Sequence, residues 1–100
     1  MLDVSPLAVG TSSATESGLA ASLGASTSSG AAALVSVLPM GADVDSALFA
    51  AALNAAGGQY LGVAAEHITQ RALFASSQQL ASVTYTTTET IRALTSSLNV

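Results

Sequence analysis

Few side chains in this sequence can do chemistry. The single histidine, His67, directly follows Glu66, and neighbours on a helix point about 100° apart, so the two do not form an acid–base pair on one face. With no cysteine and no Cys, Asp or Glu at ligand spacing, one histidine cannot build a metal site, and the expected role of His67 is that of a core or interface histidine hydrogen-bonded to a neighbour. Serine is abundant, but a nucleophilic serine needs a positioned base, and His67 has no acid placed to orient it. Gly10-Thr11 and Gly57-Gly58 lack the spacing of a phosphate-binding loop, and no lysine is present to meet a phosphate. The expectation is therefore no enzyme, no cofactor, no metal and no small-molecule substrate. Tyr85 and Glu89 are different: at i and i+4 they share a helical face, with Arg92 three residues beyond the glutamate. By spacing alone they are either the end of an apolar stripe beside a surface Glu–Arg pair or a mark that another protein reads.

Positioning such a pair requires secondary structure, and composition limits what is available. One hundred residues allow one domain, residues 1–100. Half belong to the hydrophobic class, yet only Phe49, Tyr60, Phe74 and Tyr85 are aromatic and most of the rest is alanine, so the core is thin. A net charge of -4 with Arg71 and Arg92 as the only basic residues besides His67 argues against nucleic acid. The start, Met1-Leu2-Asp3-Val4, has no basic region ahead of an apolar run, so no cleavable signal peptide is expected. The uncharged stretches 17–42 and 46–65 approach transmembrane length, but serines, Pro39, Asn54 and Gln59 interrupt them and no anchoring Lys, Arg or Trp flanks them.

Ser5-Pro6 reads as a helix start, with serine capping and proline at the first helical position. Helix 1 is expected over about 5–37, rather than a Ser/Thr-rich linker over 11–30, with Gly10, Gly18, Gly24 and Gly30 where packed backbones approach closely. Its expected stripe is Leu7, Ala14 and Ala21, joined by Leu19, Leu23 and Leu34. Leu38-Pro39-Met40-Gly41 breaks the pattern, so a turn falls at about 38–44, and Asp43 and Asp45 complement the positive end of a second helix over about 45–94, roughly 70 Å long. The result is an all-α antiparallel two-helix hairpin.

Helix 2 carries two stripes. The first reads Phe49, Leu53, Ala56, Tyr60, Val63, His67, Phe74, Ala81 and Tyr85; the second reads Leu61, Ile68, Leu73, Leu80, Val83, Thr87, Ile91, Leu94 and Leu98. One thin helix can cover only one of these, so the other awaits a second chain. Gly57-Gly58 is expected to admit a neighbouring backbone beside Tyr60.

In order along the chain, Val35-Ser36-Val37-Leu38-Pro39, Gly41-Ala42-Asp43-Val44-Asp45-Ser46, Phe49, Tyr60, Ala64-Ala65-Glu66-His67, Phe74 and Tyr85-x-x-x-Glu89 resemble the PE family of mycobacterial proteins, in its short single-domain form. Pro6 is followed by Leu7 where the family has the glutamate of its name, so that glutamate's role is not carried over. The resemblance implies a hairpin that completes a four-helix bundle with a PPE-family partner as a heterodimer. It also implies export of the pair by a type VII (ESX) secretion system, to the cell surface, envelope or medium, with Tyr85 and Glu89 as the signal. The partner interface is then Phe49, Leu53, Tyr60, Val63 and Phe74. The rival expectation, from small-residue packing, is a self-associating helical bundle or a small membrane-associated, pore-forming protein of the envelope.

Overall fold

Ser5 caps the first helix as its sequence suggests: its Oγ accepts the Ala8 N–H at 3.3 Å, and Pro6 takes the first helical position. In the computed structural model, which describes residues 3–99, the chain forms α1 (Pro6–Val35) and α2 (Val44–Leu98), with no strand among the described residues. Met1, Leu2 and Val100, the outer ends of the expected domain, lie outside them. The Ser/Thr-rich stretch 11–30 is helical throughout. Two units can be distinguished, Ala20–Gln70 and Met1–Leu19 with Arg71–Val100.

Within Ala20–Gln70 the two helices run antiparallel. From Ala50 on, the positions of α2 withdrawn from solvent in this unit are Ala50, Asn54, Gly57, Leu61, Ala64 and Ile68, which alternate steps of four and three. Those on α1 include Ala20, Leu23, Thr27 and Leu34, in the same rhythm. Gly57 is buried in this seam, and a Cβ added there would overlap the Leu34 carbonyl; Gly58 has open space. Close approach of the two backbones is therefore built on Gly57 alone, and α2 continues through it as helix.

Asn54 fixes the end of α1. Its Oδ1 accepts the Val37 N–H at 2.7 Å and its Nδ2 donates to the Val37 carbonyl at 3.1 Å, so one side chain satisfies both backbone groups of a residue outside the helix. Together with Pro39, which disfavours helical geometry at Leu38, this ends α1 at Val35, two residues before the expected limit. Asp43 then caps α2: Oδ1 accepts the Ser46 hydroxyl at 2.8 Å and Oδ2 the Ser46 N–H at 3.0 Å. α2 ends at Leu98, a turn beyond the expected Leu94, with Thr95 and Ser97 hydroxyls donating to carbonyls of the preceding turn.

Within Met1–Leu19 with Arg71–Val100 the seam is polar. Buried Ser13 donates from Oγ to the Ala75 carbonyl at 2.6 Å, Gln78 Nε2 donates to Ser12 Oγ at 2.7 Å, and Ser82 Oγ donates to the Pro6 carbonyl at 2.7 Å. Arg71 pairs with Glu16 at 3.3 Å. Each neutral bond contributes about 1 kcal/mol net, and the partly exposed ion pair no more than that. Gln78 Oε1 is buried without a donor, which offsets part of the gain.

Two expectations for α1 are corrected here. Leu7 is 81% exposed, and Ala14, Ala21 and Leu19 also face solvent. The helix meets α2 through residues one position earlier, Pro6, Ser13 and Ala20, because Ser13 supplies a hydrogen bond and small side chains let the helices approach. Of the α1 glycines, Gly10 lies 3.2 Å (as an added Cβ) from Ser82 Oγ, whereas Gly18 and Gly30 meet open space.

Gly57→Ala is expected to lower stability by about 1–3 kcal/mol, since the added methyl overlaps backbone, whereas Gly58→Ala is expected to be neutral or to stabilise by up to about 1 kcal/mol. Denaturant unfolding followed by circular dichroism, each variant in the same assembly state as the parent, separates the two.

The Ser46 hydroxyl, followed by the Ser46 N–H, holds the Asp43 carboxyl below its ordinary range. A carboxyl depressed in the folded state stabilises above its unfolded pKa and loses that contribution as pH falls through its folded one. Between about pH 5 and 2 the parent should therefore lose more melting temperature than Asp43→Asn, which keeps a capping oxygen without the charge. Parallel pH profiles for the two proteins would refute this.

Candidate interaction surface

The large apolar side chains of α2 stand one residue out of register with its seam. Phe49, Leu53, Tyr60, Val63 and Phe74 immediately precede Ala50, Asn54, Leu61, Ala64 and Ala75, so each is turned about 100° away from α1. All five are between 40% and 62% exposed. The buried apolar residues, by contrast, are Ala20, Ala50 and Ala75, and no large side chain is fully buried among the described residues. Of the second expected stripe, Leu61 and Ile68 join the seam while Leu73, Leu80, Ile91, Leu94 and Leu98 remain exposed.

Within Ala20–Gln70 the exposed face is hollowed in two places. One hollow, of about 330 Å³, is walled by Val37, Leu38, Met40, Phe49, Ala50 and Leu53, with Asp45 and Ser46 at its edge. The other, of about 460 Å³, lies between the Tyr60 ring and a wall of α1 that is largely small residues. Neither has the convergent polar groups of a substrate site.

Tyr85 and Glu89 lie on the part of α2 beyond Ser82. Ser82 bonds the carbonyl of the first residue of α1, so among the described residues no helix lies beside those that follow, and every described residue from Val83 onward is exposed. Tyr85 is 38% exposed and shares a hollow of about 140 Å³ with Val4, Thr88, Glu89 and Arg92. Glu89 Oε1 accepts from Arg92 Nη1 at 3.0 Å, with both side chains more than half exposed, so the pair contributes only a few tenths of a kcal/mol and leaves the carboxylate accessible. The hydroxyls of Thr84, Thr86, Thr87 and Thr90 each donate to the carbonyl four residues back, at 2.9–3.0 Å, which satisfies them within the helix.

His67 is not a core residue and shares the register of Tyr60 and Val63, one residue out of the seam. It is exposed, one step before the seam residue Ile68, and its ring has no hydrogen-bond partner among the described residues. No group of three His, Cys, Asp or Glu that could hold a metal ion occurs among those residues. No helix among them is long and apolar enough to cross a membrane.

The residues missed from sequence are polar ones: Asn54, Glu16 with Arg71, and Ser12 and Ser13 with Gln78. One signal was available, because the four-three rhythm through Leu61, Ala64 and Ile68 continues to Arg71, Ala75, Gln78 and Ser82. It passes unnoticed when only apolar residues are counted.

Searches for similar curated proteins and for similar solved structures found no match. The sequence model of the PE family matches residues 2–92, a span that includes both helices down to Arg92 and takes in Tyr85 and Glu89. On that match, the chain belongs to the PE family.

Proposed function

We propose that this chain is a non-enzymatic interaction and export module. It pairs with a PPE-family protein as a heterodimer, contributing two helices to a four-helix bundle, and the pair is exported to the cell surface or medium by a type VII (ESX) secretion system that reads Tyr85 and Glu89.

The observation that carries the pairing is the amount of surface left open. A folded monomer of 9.8 kDa exposes about 5,200 Å² by the usual area–mass scaling, whereas this chain exposes 7203 Å². The excess of about 2,000 Å² on one partner is what an obligate interface of more than about 2,000 Å² in total calls for. The surplus includes Phe49, Leu53, Tyr60, Val63 and Phe74, all larger than the buried apolar residues Ala20, Ala50 and Ala75. A monomer exposing such a patch is prone to associate.

The export reading is supported by the accessibility of the Tyr85–Glu89 face and by family membership. A receptor can grip the ring and the carboxylate together because they lie one turn apart on a stretch that α1 does not cover.

Expressed alone, the chain should be oligomeric or poorly helical; co-expressed with its cognate PPE-family protein, found by screening, it should sediment as a one-to-one pair. A monodisperse, cooperatively melting monomer that ignores this protein would contradict the pairing. Self-association that persists in its presence would favour the self-associating bundle instead.

Tyr85→Ala or Glu89→Ala should remove the pair from the culture filtrate while leaving it assembled in the cell. Arg92→Ala, which breaks only a weak exposed ion pair, should be exported normally. Both alanine variants reaching the filtrate at parental levels would sink the address.

A further inference from the structure

The hollow of about 460 Å³ beside Tyr60 distinguishes α1 residues that are otherwise alike. On α1 it is lined by Leu23, Ser26, Thr27, Gly30, Ala33 and Leu34. A Cβ added to Gly30 meets nothing within 4 Å. Glycine here is not required by contact within this chain, and by helix propensity it costs about 1 kcal/mol relative to alanine. Gly18 also has open space around it, but it does not line this hollow.

We propose that Gly30 and Ala33 keep open a socket for one large, uncharged apolar side chain, presented by a helix of the partner as it passes Tyr60. This rests on the pairing reading above and specifies what the partner must bring. No charged residue lines the socket, which excludes a salt-bridging occupant. Tyr60 is 59% exposed, so its ring offers unburied area for an aliphatic or aromatic group to cover. The socket adjoins the exposed Tyr60–Val63 face, and the chain's surplus surface matches what a second chain of comparable contact area would bury. A large side chain entering a hole between small ones is how packed helices interlock.

The socket is tested by filling it. Gly30→Leu, Ala33→Leu and the control Gly18→Leu are each co-expressed with the cognate PPE-family protein, and affinity is measured by titration. Helix content of each chain alone is recorded by circular dichroism. All three should keep or increase helicity, as leucine is a better helix former than glycine and close to alanine. Gly30→Leu and Ala33→Leu should each weaken pairing at least tenfold, the scale expected for overpacking a filled site, while Gly18→Leu should pair as the parent does.

Parental pairing by both Gly30→Leu and Ala33→Leu would overturn the socket while leaving the pairing reading intact. Failure of the parent chain itself to pair would overturn that reading and the socket with it. If filling the socket dissolves oligomers of the chain alone yet leaves pairing unchanged, the occupant is a second copy and the proposal is wrong.

Discussion

Gly57 and the Leu34 carbonyl lie so close that the space between them admits no side-chain carbon. Helices that approach in this way must meet through small residues, and the Ala20–Gln70 unit does so through Ala20, Ala50, Ala64 and Gly57, with Leu23, Leu34, Leu61 and Ile68 half-buried around them. Such a seam is a poor source of hydrophobic stability, since alanine removes little apolar area from water. Bulk that cannot enter is displaced by one residue to the neighbouring face. Phe49, Leu53, Tyr60, Val63 and Phe74 stand on that face, exposed.

The Met1–Leu19 and Arg71–Val100 unit meets the same constraint with hydrogen bonds. Ser13, Gln78 and Ser82 bond across the helices, and Glu16 pairs with Arg71. Directional bonds of this kind fix register at modest net gain, and the large apolar residues of this stretch, from Leu73 to Leu98, stay exposed while Ala75 is buried. The face with Tyr85 and Glu89 is thus reached without opening any interior. Among the described residues the buried apolar side chains are alanines, and most of the large apolar ones are exposed.

The helices, the Ser5 cap and the turn were legible in the sequence because each has a local cause, Ser5-Pro6 and the Pro39-Gly41 break acting within a few residues, whereas Asp43 was read for its charge and not as the cap that bonds Ser46. The open face was legible as well, since Phe49 to Phe74 recur at helical spacing. Its counterpart on α1 was not. Leu7, Ala14 and Ala21 satisfy the same periodicity test as Ser13 and Ala20, and a count of apolar residues prefers the leucine. The choice between the two faces is made by Ser13 bonding a carbonyl 62 residues away. The Asn54 clamp on Val37 was hidden for the same reason: it becomes readable only once the turn has brought the two together. His67, adjacent to half-buried Ile68, illustrates how a step of about 100° separates a seam position from an exposed one.

The central claim is that the displaced face is covered by another chain. Covalent footprinting of the aromatic residues, read by mass spectrometry on the isolated chain and on its pair with the PPE-family protein, addresses it residue by residue. Labelling of Phe49, Tyr60 and Phe74 should fall several-fold on pairing, as expected for side chains moving from half-exposed to buried. Labelling of all three in the assembled pair as heavy as in the free chain would mean that the partner binds elsewhere, and the account would be contradicted.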